Sequence, residues 1–432
     1  MGGPDSFNLQ LQGSGIHFGG QVVQGQVLIS SCELMSNIRN IQVKLIGFGE
    51  VHWTQQEQKT RRGRDGRQQR YTEAKHYRNY EEYVNNKALV HQGHLAAGRH
   101  VFPFSFILPP NLPSSFEGQH GHVRYFIEAK IDQSGLFNFN KKKKLFITIN
   151  SVIDLNFIQG VDIAQTNSNA KTFGCLCCTS GPLSATVRIP RYGYTPGEII
   201  PISAEIENLS NKQMHCTKAL LFQDVVFRAT NGTKSSTRIL QEVRKGPIDS
   251  GKSDSWDGQP LSIPPVPPTG LGGCRIMDVS YRLEFRVDPS GIGFDLVVSI
   301  PITVGTIPLR VYYQQIAAAR PNYPSSSPTS RLIHEEPKEY LGAAVVTPPH
   351  ELHDTNHGAF NHSQLTYAPS APTLLPTGYT DLPPPSYADA VAAYEDGRPN
   401  QLRSDKDFEH TDANWDFNPR YLVWSMPSAP PQ

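Results

Sequence analysis

The chain has 432 residues, of which 38% are hydrophobic and 18% charged, and its formal net charge is +1. That length accommodates two or three domains, and the near-neutral balance excludes a molecule that finds its partners through bulk charge alone. Of 35 prolines, 17 fall in residues 321–432, a stretch also rich in Ser, Asn and Thr. Such a segment buries too little apolar surface to offset its ordering entropy. Residues 319–432 are therefore expected to be a mostly disordered, Pro-rich tail behind a folded part.

The N-terminus, MGGPDSFNLQ, lacks an apolar signal region, and no window approaches ~18 uninterrupted apolar residues. Gly2 followed by Ser6 fits the myristoylation pattern, although no basic cluster follows closely to act as a second membrane signal. Six cysteines are present, three of them in FGCLCC as Cys175, Cys177 and Cys178. This is not a disulfide framework for a chain of this size. The spacing also lacks the paired cysteines of a zinc site, so S-acylation or plain buried and linker thiols are the readings, and neither a metal nor a cofactor is expected. A cytosolic chain with reduced thiols follows, with the sequons at Asn208, Asn231 and Asn361 silent.

Strand-type alternation begins at IRNIQVKLIG (38–47). Next comes KTRRGRDGRQQR (59–70), where Arg61, Arg62 and Arg64 belong to a basic cluster; KKKK at Lys141, Lys142, Lys143 and Lys144 is a second. Both read as solvated loops between strands, with contact to anionic lipid or acidic partners as the functional alternative. No aromatic interrupts the arginine run before Tyr71, so nucleic-acid binding is not expected. VFPFSFIL (101–108) and KLFITI (144–149) alternate as well. HVRYFIEAKID (122–132) places Val123, Tyr125, Ile127, Ala129 and Ile131 on one face. In the second half, IIPISAEIE (199–207) and DVSYRLEFRV (278–287) do the same, the latter with Val279, Tyr281, Leu283, Phe285 and Val287. Period-2 alternation puts one face on a core and one in water. Many short strands broken by Gly and Pro predict antiparallel, immunoglobulin-like β-sandwiches.

The strands repeat. FGGQVVQGQVLI (18–29) matches YGYTPGEIIPIS (192–203), and FILPPNLPSSFEGQHGHVRYFIEA matches LSIPPVPPTGLGGCRIMDVSYRLEF. Copies one domain length apart indicate a tandem pair of related sandwiches. These runs, with NIQVKLIGFGEVHW and YTPGEIIPISAEIENLSNK, resemble the arrestin fold, and specifically the alpha-arrestins, over about residues 6–315. The domain reading is an arrestin-like N-terminal sandwich at 5–152, a linker at 153–181, an arrestin-like C-terminal sandwich at 182–318 and the tail at 319–432. The resemblance implies a cytosolic adaptor recruited to the plasma membrane and endosomes. It would recognise membrane-protein cargo such as receptors or transporters through the sandwiches, and recruit a HECT-class ubiquitin ligase through the tail. The buried charged core of visual and beta-type arrestins does not align clearly; Asp295 in GIGFDLVVSIPI is the one candidate. Phosphate-dependent activation is accordingly not assumed.

The tail carries short motifs. Pro384, Pro385, Ser386 and Tyr387 form Pro-Pro-x-Tyr. Consecutive prolines favour polyproline II, close to the shape that an aromatic WW groove binds, and Tyr387 falls one turn along on the same side. YADAVAAYED (387–396) is expected to extend that contact as a short helix. Pro369-Ser370-Ala371-Pro372 and Pro427-Ser428-Ala429-Pro430 resemble the late-domain motif bound by ESCRT-I. Asn418-Pro419-Arg420-Tyr421 resembles the turn read by phosphotyrosine-binding domains, and RYLVW beside it also reads as a sticky aromatic patch. No P-loop, dinucleotide fingerprint, nucleophile elbow or zinc-protease motif is found, so no enzyme is expected. Two other readings stay open: a sorting adaptor working mainly through ESCRT-I, and a retromer-like structural scaffold with a dispensable tail.

Overall fold

A computed structural model describes residues 4–62, 68–134, 141–173, 180–291, 293–318, 385–390, 411–414 and 417–424. The first sandwich is built from β1 (Ser6–Leu11), β2 (Ile16–Phe18), β3 (Val22–Ser31), β4 (Ile38–Arg62), β5 (Gln68–Gln92), β6 (Gly98–Ile107), β7 (Phe116–Gly118), β8 (Gly121–Gln133) and β9 (Lys141–Asn150). A short 3-10 turn at Leu155–Phe157 leads into β10 (Gln165–Thr172). The second sandwich follows with β11 (Pro182–Ile189), β12 (Gly193–Tyr194), β13 (Ile199–Asn208), β14 (Met214–Ala229), β15 (Gly232–Lys245), β16 (Lys252–Ser262), β17 (Met277–Pro289) and β18 (Leu296–Val304). A helix, α1 (Arg310–Ala318), closes the body, and β19 (Ser386–Asp389), β20 (Thr411–Ala413) and β21 (Arg420–Val423) come from the tail.

The duplication read from the sequence is reproduced in the order of both sheets, with β7, paired to β8, extra in the first copy and β10 extra in the second. In the first sandwich one sheet runs β1-β3-β6 and the other β2-β9-β8-β4-β5. In the second the orders are β11-β13-β16, with β10 added at the edge, and β12-β18-β17-β14-β15. The short β2 and β12 pair parallel with β9 and β18, while the long ladders are antiparallel. A buried tyrosine repeats too. Tyr125 in β8 donates its hydroxyl to the Pro113 carbonyl at 2.7 Å, and Tyr281 in β17 donates to the Pro267 carbonyl at 2.6 Å. Each bond ties a long alternating strand to the proline loop before it, satisfying a carbonyl that burial would otherwise leave without water.

The alternation decides which face is core. Val123, Tyr125, Ile127, Ala129 and Ile131 are all fully buried, as are Val279, Phe285 and Val287 to within 1%. Two expectations are corrected. Residues 165–172, read as linker, form the edge strand β10 with an eight-residue register onto β11. The basic stretches, read as loops, are strand: Lys59–Arg62 end β4, and Lys141–Lys144 begin β9. The cause at the first site is geometric. β8 accompanies β4 only from Ile38 to Val51, yet β4 and β5 stay paired out to Arg62 and Gln68. Beyond Trp53 and Tyr77, which are buried where the ribbon meets the second sandwich, the two strands are mostly exposed, and there charge is tolerated and alternation is not required.

Candidate functional site

The site lies where the two sandwiches meet, and it begins with a turn. Thr195-Pro196-Gly197-Glu198 has Pro at the second position and Gly at the third, with φ of +90° at Gly197. The Glu198 amide donates to the Thr195 carbonyl at 3.1 Å. This is the chemistry of a type II turn, in which proline presets one φ and glycine accepts the positive one. The turn's own hydrogen bond leaves the Pro196 carbonyl unused. Trp424 of the tail fills that place, its amide donating to Pro196 O at 2.8 Å. Its indole Nε1 donates to Thr306 O at 2.9 Å, and its ring meets Tyr313 of α1 edge-on at 6.2 Å. A Cβ on Gly197 would come within 2.4 Å of the Trp424 carbonyl oxygen. Absence of that side chain is what admits the tail, and Trp424 is fully buried.

Three residues earlier, Tyr421 binds the other sandwich. It is buried, and its hydroxyl donates to Ser115 O at 2.9 Å. Burial pushes its phenol well above the ordinary range, so it stays a neutral donor. Between the anchors, Arg420 donates from its amide to Thr148 Oγ1 at 3.3 Å and from its guanidinium to Ser14 O at 2.8 Å; Asn150 Nδ2 donates to Arg420 O at 3.1 Å. Upstream, β20 pairs parallel with β9. Asn414 continues the ladder with its side chain, accepting from the Phe146 amide at 2.8 Å and donating to the Phe146 carbonyl at 3.3 Å. Phe417 stacks on Phe146 at 5.8 Å.

The docked segment carries a further strand. β19 pairs antiparallel with β21, so that Tyr387 faces Leu422 and Ser386 faces Val423. Ala390 donates to the Pro419 carbonyl at 2.8 Å, and Asn418 Nδ2 returns a bond to Ala390 O at 3.0 Å. The second half of Pro-Pro-x-Tyr is thus in a two-stranded ladder, with Tyr387 half-buried. Residues 387–389, expected to start a helix, are strand instead, because β21 offers them an unpaired edge.

Beneath the Trp424 seat lies a buried ion pair that the sequence reading did not single out. Glu198, fully buried, accepts from Arg191 Nη2 at 3.1 Å, from Arg191 Nη1 at 3.2 Å and from the Thr195 amide at 2.7 Å. The Arg191 guanidinium lies between the Tyr194 and Tyr312 rings, 4.0 and 4.1 Å from their centroids, and also donates to Gly193 O. Asp295, the candidate for such a core, is instead half-buried in the second sandwich, 3.9 Å from Arg286.

The other residues singled out in the sequence are spread over the body and the tail. Arg61 is exposed near the hairpin end, with its guanidinium 5.9 Å from the Tyr71 centroid. Arg62 closes β4, and Arg64 lies outside the described residues. Lys141 donates to Pro4 O at 3.2 Å, and Lys143 pairs with Asp412 at 2.7 Å. Lys144 is buried with its ammonium 5.0 Å from the Phe126 centroid. Lys142 faces Thr411 in the β9–β20 register. Of the proline motifs, Pro385, Ser386 and Tyr387 are described. Pro384, both Pro-Ser-Ala-Pro copies, Gly2, Cys175, Cys177 and Cys178 lie outside the described residues. Asn418, Pro419 and Tyr421 sit in the seat just built, where the RYLVW patch is its core. The signal for it was present: an apolar run ending in tryptophan, inside an otherwise polar tail, is the kind of segment that finds a surface to cover it.

The comparisons match this architecture. The family model described as arrestin (or S-antigen), N-terminal domain, matches residues 7–156, and the corresponding C-terminal domain matches residues 179–309. The chain belongs to the alpha-arrestin family. It is 31% identical over 341 residues to arrestin domain-containing protein 17 of Caenorhabditis elegans, covering 74% of this chain and 75% of that one. It is 36% identical over 215 residues to arrestin domain-containing protein 4 of Mus musculus, spanning half of each. It is 29% identical over 307 residues to arrestin domain-containing protein 1 of Rattus norvegicus, covering 70% and 68%. These relationships support an adaptor role for this alpha-arrestin.

Proposed function

We propose that the chain is a cytosolic adaptor that links membrane-protein cargo to a HECT-class ubiquitin ligase, promoting cargo ubiquitination, endocytosis and sorting. The observation that carries this reading is Pro384-Pro385-Ser386-Tyr387 on a tail attached to a tandem arrestin body. The sandwiches engage cargo at the plasma membrane or endosome, and the exposed Arg61 and Lys141 are candidate contacts to the anionic membrane surface, whereas Lys144 is buried and Lys143 is paired with Asp412. The tail raises the ligase's effective concentration beside the cargo, so catalysis belongs to the recruited enzyme.

The test is binding of isolated HECT-ligase WW domains to the chain, with and without Tyr387→Ala. Micromolar binding that the substitution abolishes supports the reading, and binding indifferent to Tyr387 removes it. A second reading, recruitment of ESCRT-I, is favoured by the two Pro-Ser-Ala-Pro copies flanking the motif. If it dominates, replacing Pro369 and Pro427 by Ala impairs cargo sorting more than Tyr387→Ala does.

A further inference from the structure

We propose that the seam between the sandwiches is a binding site for an extended Tyr-x-x-Trp peptide, that the chain's own Asn418–Trp424 segment is its ligand, and that this seat withholds the Pro-Pro-x-Tyr motif from WW domains. The inference rests on the WW reading above for its consequence, but on geometry alone for the seat.

The seat is a built site. Each sandwich supplies one pocket with one buried carbonyl aimed at the ligand: Ser115 O takes the Tyr421 hydroxyl, and Thr306 O takes the Trp424 indole. The two pockets are three residues apart in the ligand, so an extended backbone places one ring in each. Specificity follows from the donors. A residue lacking a hydroxyl or an indole N–H would leave a buried carbonyl without its bond, which is more costly than losing apolar area alone. Gly197 sets the depth, since any side chain there would collide with Val423 and Trp424.

The consequence for the motif is one of exclusion. A WW groove takes Pro-Pro-x-Tyr as polyproline II, a helix without internal hydrogen bonds, and surrounds the proline and tyrosine side chains. In the seated chain Ser386–Asp389 is a strand whose ladder partner is Arg420–Val423, itself clamped into the seam. The same residues cannot lie in this ladder and in a WW groove. Ligase recruitment therefore draws only on the fraction of molecules whose tail is unseated, and the apparent affinity is reduced by that fraction.

The experiment titrates one HECT-ligase WW domain into the full chain, into Trp424→Ala, and into a synthetic peptide of residues 381–390 that has nothing to hide behind. The expected result is full-chain binding at least ten-fold weaker than peptide binding, with Trp424→Ala within about two-fold of the peptide. Adding excess synthetic peptide 417–426 to the full chain should tighten WW binding in the same direction, without any substitution. Equal affinity for the wild-type chain and the 381–390 peptide overturns the masking. Hydrogen exchange provides a readout that needs no WW domain: protection at 386–389 and 421–424 that Trp424→Ala abolishes, with β8 unchanged, upholds the seat. Free exchange of those amides in the wild type overturns it. If the WW domain ignores even the 381–390 peptide, the adaptor reading and the masking fall together, and the exchange result alone decides the seat.

Discussion

Glu198→Gln isolates what the buried charged pair contributes. In the native chain the carboxylate of Glu198 accepts three hydrogen bonds and neutralises a guanidinium that is only 1% exposed. The amide retains the shape and one acceptor oxygen, so the Thr195 amide keeps a partner. Arg191 does not keep its counter-charge. Breaking a buried pair by removing one partner costs about 3–5 kcal/mol. The Tyr194 and Tyr312 faces still attract the cation, by about 2 kcal/mol in a desolvated site, which keeps the loss near the lower end. A cost of about 3 kcal/mol lowers the melting temperature of a sandwich this size by roughly 10 °C. Replacing both residues together, Arg191→Leu with Glu198→Leu, removes the desolvation penalty along with the attraction, and such replacements are often close to neutral. The double variant is therefore expected to be more stable than Glu198→Gln by about 2 kcal/mol. Denaturant unfolding and calorimetry of wild type, Glu198→Gln and the closed cycle of Glu198→Leu, Arg191→Leu and their double measure it. A double variant that loses the sum of the two Leu singles would show that the side chains are not coupled, and would refute the ion-pair account.

Three further outcomes follow from the same geometry. Tyr281→Phe should destabilise more than Tyr125→Phe, because the Tyr281 hydroxyl both donates to Pro267 O and accepts from Gln223 Nε2 at 2.9 Å, leaving two buried groups unpaired rather than one; at about 1 kcal/mol or more per orphaned group, equal unfolding midpoints would contradict this. Burial lowers the His17 imidazole from 6.5 to about 4, so the unfolded chain takes up this proton at a higher pH than the native one. Stability from this group is complete above pH 6.5 and declines as pH falls toward 4, by up to about 3 kcal/mol; His17→Gln should shrink the loss between pH 7.5 and 4.5, and an unchanged loss would remove His17 from the account. Gly47→Ala should cost about 1–3 kcal/mol by overpacking, since its Cβ would lie 2.3 Å from the Tyr125 ring and 2.8 Å from Val84; a wild-type melting temperature would mean that Tyr125 can move.

What the sequence made legible, and what it hid, divides along a physical line. Alternation in residues 122–132 and 278–287 named the buried faces because one-sided burial writes a period of two into the chain. The duplication was legible because both copies need the same proline loop before the same tyrosine strand. The free ribbon at Lys59–Arg62 was hidden for the converse reason: strands wet on both faces need no alternation, so Arg61 and Arg62 read as loop. The ion pair was hidden because Arg191 lies in the loop before β12 and Glu198 closes the turn after it, and seven residues of separation across such a stretch carry no periodic signal.

The tail seat was hidden for a deeper reason. Its partners are backbone carbonyls, Ser115 O, Pro196 O and Thr306 O, contributed by three separated loops. A carbonyl has no residue letter, so no composition or motif marks it as a site. Only the ligand side, YLVW, is written in side chains, and it overlaps a motif that reads as a signal to other proteins. The overlap has a physical consequence. A phosphotyrosine-binding partner would need the phenol that Ser115 already holds, and a WW partner would need the strand that Val423 already pairs. Access to both candidate tail motifs is therefore tied to one event, the withdrawal of Tyr421 and Trp424 from the seam. Because one ring is anchored in each sandwich, that event also breaks a link between the two domains. Whatever separates the sandwiches at Ser115 and Thr306 should expose both motifs together.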